Sequence, residues 1–217
     1  MLDSLHNELI AMAQADRDAQ WEAKSESTAS AEPVFRKNSR RLKEIVQAHG
    51  YPGLSLVGAD GANAAWLIVQ HSDFDSEFQE TFLQMMELAV QEREASPREF
   101  AYLTDRVCVG TGRRQVFGTQ CELDGEWRKC RPLVEPDAVD RRRESVGLEP
   151  LAQYVCSLTA FNVAWALGLK NPTITIGDPT AATPVRVQDG DVAYQFEVQW
   201  DPVRLCCRVV TPPTAPV

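Results

Sequence analysis

The spacing of the apolar residues changes partway along this chain of 217 residues. Up to about residue 112, apolar residues recur every three or four positions, which predicts amphipathic helices. Near the C-terminus, the segment DVAYQFEVQW alternates strictly from Val192 to Trp200, which predicts a half-buried strand. Helices that precede strands in this way indicate an α+β protein, mainly a helical bundle followed by an antiparallel β-meander.

Helical segments and their caps organise the first half of the chain. The segment KSESTASAEP is predicted to be a connector, and YPGLSLVGADG a turn-rich loop. Ser72 and Asp73 are expected to cap the helix that follows them, while Ser96, Pro97 and Glu99 have the N-cap, N1 and N3 pattern of another. The predicted helices cover residues 2 to about 24, 35–49, 62–71, 74 to about 93, and 97 to 110 or 112.

The second half begins with a predicted β-hairpin, about residues 114–132, closed by a turn at Asp124-Gly125. That register would pair Cys121 with Arg128, so Cys121 and Cys130 would not face each other. A short charged helix, a long apolar helix and the strands TITIG, TPVRVQ, DVAYQFEVQW and VRLCCRVV are predicted to follow. We expect two domains packed as one globule, a helical domain (1–170) with the inserted hairpin and the C-terminal meander (171–217).

Composition narrows the functional classes. The chain has 22 Lys and Arg against 31 Asp and Glu, a net charge of -9. Because this charge repels phosphate backbones and anionic lipids, neither nucleic acid nor a membrane surface is expected as a partner. The N-terminus does not resemble a signal peptide, and no segment has the length of an apolar membrane span. The six cysteines form no C-x-x-C pair, which disfavours zinc and indicates reduced thiols in a cytoplasmic protein.

Several polar residues stand in or beside apolar segments, where each needs a hydrogen bond to a neighbour or to a ligand. His71 ends an apolar helix and is suited to proton transfer near neutral pH, and Asp105 could orient it. Arg106 and Arg143 could each bind a carboxylate or phosphate through a bidentate fork. Other polar residues in such positions are Gln70, Thr119 and Gln120.

Simpler explanations compete with a shared site. A single histidine at the end of an apolar helix is more often a hydrogen-bonded structural residue. Asp105 and Arg106 point about 100° apart on a helix, so each could pair elsewhere. His71, Asp73 and Asp75 could bind a metal ion, but the two aspartates also suit a helix N-terminus, and no metal is predicted. The segment GADGAN lacks the Gly-Lys-Ser/Thr ending of a phosphate loop, and no cofactor is predicted.

A family resemblance is carried by RLKEIVQAHGYPGLSLVGADGANAAWLIVQHSD, FAYLTDRVCVGTGRRQVFGTQ and DAVDRRRESVGLEPLAQY. Over about residues 1–155 the chain resembles a family of bacterial proteins, a domain of unknown function. The resemblance implies no established activity. Its characteristic positions correspond here to Trp66, Gln70, His71, Asp105, Arg106, Gly118, Thr119, Gln120, Arg143, Gly147 and Leu148.

These observations lead to two functional hypotheses. The first is a polar pocket that binds or transforms a small or peptidic ligand, an anionic one being an option, with His71 and Asp105 as catalytic residues. Its expected ligand-binding residues are Trp66, Gln70, Arg106, Thr119, Gln120 and Arg143. The second is a protein-interaction module, immunity-like or adaptor-like, that uses its acidic surface and C-terminal strands. A homodimer in which strand Val203–Val210 pairs with itself is a third possibility.

Overall fold

The computed structural model describes residues 2–26, 31–179 and 182–214. The α+β prediction is confirmed, since helices precede an antiparallel sheet. The chain divides into two compact units, the helical unit (Met1–Arg113) and the sheet unit (Arg114–Val217). Among the described helices, none combines the length and the apolar character that crossing a bilayer requires.

The helical unit is built around its third helix. That helix contacts each of the other four, and its buried Ala62, Ala64 and Ala65 let neighbouring helices approach closely. The helices are α1 (Asp3–Glu26), α2 (Glu32–His49), α3 (Leu54–Gln70), α4 (Ser76–Gln91) and α5 (Pro97–Gly110). The fully buried side chains of their shared core include Leu9, Leu42, Ile45, Ile68, Phe82, Met86 and Leu103.

The start of α3 differs from the prediction. Residues 54–60 are helical rather than part of a turn-rich loop, and the helix is kinked at Gly58, whose φ is 72°. This left-handed conformation suits glycine, because a residue with a Cβ atom would be strained there. Of the predicted connector, residues 27–30 lie outside the described part of the chain, and Pro33 belongs to the first turn of α2.

Two predicted helix caps had different outcomes. The cap of α5 is confirmed, since the Ser96 hydroxyl accepts a hydrogen bond from the amide of Glu99 at 3.4 Å. The cap of α4 predicted at Ser72 and Asp73 is wrong. Asp75 is the N-cap and accepts from the Phe78 amide at 3.2 Å, while the Ser72 hydroxyl donates to a carbonyl of α3. The hydroxyl of Ser72 therefore bonds back to the end of α3 instead of capping α4.

The sheet unit contains one six-stranded antiparallel sheet, and a long apolar helix packs against it. The strand order is β1-β2-β6-β5-β4-β3. The strands are β1 (Cys121–Asp124), β2 (Trp127–Cys130), β3 (Thr173–Ile176), β4 (Thr183–Asp189), β5 (Val192–Asp201) and β6 (Cys206–Thr211). Between β2 and β3 lie a short 3-10 helix (Pro136–Ala138), α6 (Val139–Ser145) and α7 (Leu151–Ala166), and α7 contacts five of the strands.

The hairpin and the meander share this sheet. β2 pairs with β6 through Arg128↔Cys207 and Lys129↔Cys206, because the outer side of a hairpin strand presents amide and carbonyl groups that need partners. The structure therefore divides between Arg113 and Arg114 rather than at the expected boundary of 170 and 171. β6 lies between two strands, so the edge strands available for pairing with another chain are β1 and β3.

The hairpin register predicted from the Asp-Gly pair is wrong. Asp124 pairs with Trp127, so the two-residue loop is Gly125-Glu126, and Cys121 pairs directly with Cys130. The glycine, with a φ of 62°, occupies the first loop position rather than the second. All six cysteines are free thiols, and five of them are buried.

Candidate functional site

A histidine and a buried aspartate from two distant segments meet in the helical unit. His71 is the C-cap of α3, and its Nδ1 is hydrogen-bonded to Oδ1 of Asp16 on α1. The Asp16 side chain is 0% exposed and that of His71 is 12% exposed. Because an ionised carboxylate only accepts hydrogen bonds, the pair places the imidazole proton on Nδ1.

The other ring nitrogen of His71 remains available. Nε2 makes no hydrogen bond to a described residue and is not among the buried polar atoms. The Phe35 ring covers one side of the imidazole, with ring centroids 4.9 Å apart. The ring is therefore held at Nδ1 and on one side, which leaves Nε2 as the nitrogen that could exchange a proton with a ligand.

Asp16 itself is only partly satisfied. Its Oδ2 atom is buried and has no hydrogen-bond partner. A buried carboxylate oxygen without a donor is costly, and a catalytic role is one reason for a protein to retain such a group. Asp16 was not among the predicted site residues, although it continues the buried row of Leu5, Leu9 and Ala13 on α1.

Beside His71, an exposed ion pair links the segment after α3 to α5. The Arg106 guanidinium donates to both carboxylate oxygens of Asp73, at 2.8 and 2.6 Å. Gln79 also donates to Asp73, at 3.1 Å. Partial burial raises the pKa of the Asp73 carboxyl, but the hydrogen bonds from Arg106 and Gln79 and the charges of Arg106 and His71 outweigh it and hold the pKa below its ordinary value. The bidentate fork expected of Arg106 exists, and Asp73 occupies it.

Replacing Asp73 by asparagine is expected to lower the free energy of unfolding by about 1 kcal/mol at neutral pH, as for a well-formed exposed ion pair. Because the folded-state pKa of Asp73 lies below the unfolded one, this stabilisation is present above the unfolded pKa and is lost as the pH falls through the folded pKa. The free energy of unfolding, measured with urea at pH values across these two pKa values, is expected to become the same for wild type and Asp73→Asn in acid.

The matched control for this prediction is Glu80→Gln. Within the described residues, Glu80 forms a single, longer ion pair, 3.4 Å, with Arg113. This variant is expected to change stability by less. A difference between wild type and Asp73→Asn that persisted unchanged below the folded pKa would contradict the electrostatic explanation.

The predicted ligand-binding residues Trp66 and Gln70 join α3 to α5. The Trp66 indole donates to the carbonyl of Glu99 at 2.9 Å. With its amide oriented to satisfy its neighbours, Gln70 accepts from the Leu103 amide at 3.0 Å and from the Trp66 indole at 3.2 Å. Gln70 is buried, and the two side chains together hold α3 to α5. Asp105 is also fully buried on α5, and the carboxylate bonded to His71 is that of Asp16.

In the sheet unit, Arg143 is completely buried on α6. Its Nε donates to the carbonyl of Glu149 at 2.6 Å and its Nη1 to that of Phe117 at 2.7 Å. The guanidinium lies 4.7 Å from the centre of the Tyr154 ring, and its Nη2 has no partner. Arg143 thus binds backbone carbonyls and an aromatic ring rather than an exposed anion.

The segment around Thr119 and Gln120 belongs to the same unit. The Tyr154 hydroxyl donates to the carbonyl of Thr119 at 2.8 Å, and Gln115 exchanges hydrogen bonds with the backbone of Gln120 at 2.9 and 3.0 Å. Gly118 has a φ of 74°, and a Cβ atom there would lie 2.7 Å from the Leu151 side chain. These contacts hold an irregular segment of backbone in place.

Residues 3–170 match a family of unknown function, DUF6624. The chain belongs to this family. The expected resemblance to a domain of unknown function is thereby confirmed, and the match extends beyond the expected end at about residue 155. Comparison with curated proteins and comparison with solved structures each give no match.

The DUF6624 match covers α1 to α7 and the hairpin but ends before β3. The matched part of the sheet unit therefore contributes two strands to a sheet whose other four lie outside the match. The family residues around Arg143 and Thr119 and those around His71 and Gln70 fall in different units of the chain.

Metal ligands do not cluster in the described part of this DUF6624 protein. Within residues 2–26, 31–179 and 182–214, no group of three or more His, Cys, Asp or Glu side chains is arranged to hold an ion. Of the three residues in the HSDFD segment, His71 binds Asp16, Asp73 binds Arg106 and Asp75 caps α4. Each has a protein partner that accounts for its position.

Proposed function

We propose that the helical unit binds, and transfers a proton to or from, a small or peptidic anionic ligand at His71. The observation that carries this proposal is the buried Asp16–His71 pair, in which Asp16 holds the ring through Nδ1 and Nε2 has no hydrogen bond to a described residue. A histidine held in this way is suited to general acid–base work near neutral pH. Asp16 takes the orienting role that sequence reasoning gave to Asp105.

The surroundings of His71 favour an anionic ligand. Arg106 is 28% exposed, and its guanidinium already presents a bidentate fork to a carboxylate, Asp73. A ligand carboxylate or phosphate could compete for the same fork, because the geometry of the interaction is unchanged. The proposed roles are proton transfer for His71, orientation for Asp16 and anion binding for Arg106.

The test uses His71→Gln, which keeps an amide donor for Asp16 but cannot transfer a proton near neutral pH. Thermal unfolding is measured with phosphate, sulfate, citrate and glutamate in turn. For wild type we expect at least one of these anions to raise the melting temperature, because a ligand that binds the folded state stabilises it. The same anion is expected to have a much smaller effect on His71→Gln.

The control is His49→Gln, since His49 is exposed at the end of α2. It is expected to respond to the anion as wild type does. An anion effect of the same size in His71→Gln would overturn the proposal. Nitrogen-15 spectra of the histidine rings check the proton directly, and His71 is expected to carry its proton on Nδ1.

The second candidate, a protein-interaction module or homodimer, is favoured by one feature of the sheet unit. β3 is an edge strand, and its outer side is not paired within the described residues. Thr173 and Thr175 on this strand are exposed, and an open edge can add a strand from another chain. We propose this edge, rather than Val203–Val210, as the place for such pairing.

Light scattering tests this second candidate with Thr175→Lys, because a lysine at a strand edge disfavours pairing. A wild-type dimer that Thr175→Lys converts to a monomer would support it. Thr81→Lys on the exposed face of α4 is the control and is expected to leave the dimer intact. A monomeric wild type would count against self-pairing.

A further inference from the structure

A small cleft lies between α2 and the segment that leads into α4. Its volume is about 240 Å³, and it is lined by Arg36, Ser39, Arg40, Lys43, Phe74 and Asp75. A water molecule occupies about 30 Å³ in the liquid. The cleft therefore has room for a tetrahedral oxyanion and a small substituent.

Cationic side chains dominate this cleft. Arg36, Arg40 and Lys43 follow one another at intervals of four and three along α2, so they lie on one face of the helix. Asp75 supplies the one carboxylate in the lining. This positive cluster stands out in a chain whose net charge is -9.

Two of the three cations are held in position. Arg36 pairs with Glu32 at 2.6 Å and lies 4.3 Å from the centre of the Phe74 ring. Lys43 pairs with Asp75, so the charge of that carboxylate is offset. Arg40 is exposed and forms no ion pair or hydrogen bond with a described residue, which leaves its guanidinium free for a ligand.

Ser39 supplies an independent indication of a ligand. It is 1% exposed, yet it lines the cleft, and its hydroxyl has no hydrogen-bond partner. A hydroxyl within a helix can instead donate to the carbonyl four residues earlier, as Thr104 does to Phe100 at 2.8 Å and Thr159 to Val155 at 2.9 Å. A buried hydroxyl without a partner calls for an acceptor, and an anion oxygen in the cleft would be one.

We propose that this cleft binds a phosphate-type oxyanion, to which Ser39 and Arg40 donate hydrogen bonds, while Arg36 and Lys43 line the cleft in ion pairs with Glu32 and Asp75. Charge-assisted hydrogen bonds from arginine and a hydroxyl donor suit the oxygens of a phosphate group. The site itself stands on the cleft residues alone. Only its assignment to the ligand handled at His71 rests on the proposed function.

The link to His71 is structural. Phe35, which packs on the imidazole, directly precedes Arg36, and Phe74 follows His71 by three residues. A phosphorylated small molecule held in the cleft would thus lie against the segments that position the imidazole. This names the ligand class as phosphate monoesters, with inorganic phosphate as the simplest probe.

The experiment titrates the full chain with inorganic phosphate by calorimetry and phosphorus-31 NMR. Wild type is expected to bind saturably. Arg40→Gln is expected to weaken binding by about tenfold and Ser39→Ala by about fivefold, since each removes one donor to the anion. The matched control is Arg17→Gln, since Arg17 is an exposed arginine on α1 whose one hydrogen bond within the described residues is to Gln14; this variant should bind as wild type does.

Ser39→Ala also keeps the test independent of folding, because removing an unpaired buried hydroxyl is expected to leave the phosphate-free melting temperature unchanged or higher. Phosphate binding that is absent in wild type, or equal in wild type, Ser39→Ala and Arg40→Gln, would overturn the site. The nitrogen-15 signals of the His71 ring separate the two proposals. Phosphate binding that depends on Ser39 and Arg40 but does not shift the His71 ring nitrogens supports the cleft and counts against the proposed function.

A second arm distinguishes the source of the phosphate. Vesicles of phosphatidylcholine with phosphatidic acid are sedimented with wild type and with Arg40→Gln. We expect no sedimentation of either, which agrees with a soluble phosphate compound as the ligand. Sedimentation of wild type that Arg40→Gln abolishes would support the cleft and assign its phosphate to a lipid headgroup.

Discussion

Replacing Arg143 by methionine is expected to lower the free energy of unfolding of the sheet unit by about 3 kcal/mol. The substitution leaves the carbonyls of Phe117 and Glu149 without the donors that they have at 2.7 and 2.6 Å. It also removes the contact with the Tyr154 ring, which adds about 1–2 kcal/mol when it is desolvated. Relief of an uncompensated buried charge, with Nη2 unpartnered, offsets part of the loss.

The matched control is Arg141→Met, two residues earlier on the same short helix. Arg141 is exposed, so its replacement is expected to change stability by no more than about 0.5 kcal/mol. Hydrogen exchange of amides in β5 and α7, measured at increasing urea concentration, reports on the stability of the sheet unit alone. Equal stability of Arg143→Met and Arg141→Met would mean that burial of the charge costs as much as its contacts contribute.

Replacing His71 by leucine is expected to lower the free energy of unfolding of the helical unit by about 3 kcal/mol or more at neutral pH. The reason is Asp16, which would remain fully buried with both carboxylate oxygens lacking a donor. Removing one partner of a buried pair costs more than removing both, because the remaining charge is left without compensation.

The double variant Asp16→Leu/His71→Leu is therefore expected to be more stable than His71→Leu alone. Two independent side chains would instead have additive effects, so the second substitution would not restore stability. A gain in stability on adding Asp16→Leu to His71→Leu therefore indicates a buried pair. Hydrogen exchange of amides in α3 measures the helical unit by itself. A double variant less stable than either single variant would show that Asp16 stabilises α1 through contacts other than His71.

Local features of the fold were predictable because they depend on residues a few positions apart. The Ser96 cap with Glu99, the end of α2 at His49 and the alternating strand β5 all follow from short-range spacing. The errors at the hairpin and at the start of α4 are also local. In both, the local sequence is compatible with two turn or cap positions one to three residues apart, and short-range spacing does not distinguish them.

Contacts between distant segments were not predictable in the same way. Asp16 and His71 are 55 residues apart, and nothing in the spacing of either helix says that their faces meet. The pairing of β2 with β6 is similar, since Arg128 and Lys129 could not be matched to Cys207 and Cys206 from the sequence. Such contacts depend on which apolar faces pack together, a choice made by the whole core.

The sequence by itself determined the α+β class, most helix ends and the strands of the meander, because hydrophobic period and cap chemistry act locally. Only the tertiary structure decided what His71 and Arg143 do. Packing of α1 against α3 supplied a buried carboxylate to the histidine, and burial of α6 turned an arginine in a charged run toward backbone carbonyls. The sequence specifies the functional group of each side chain, but the packing of the helices and strands determines its partners and its exposure to solvent.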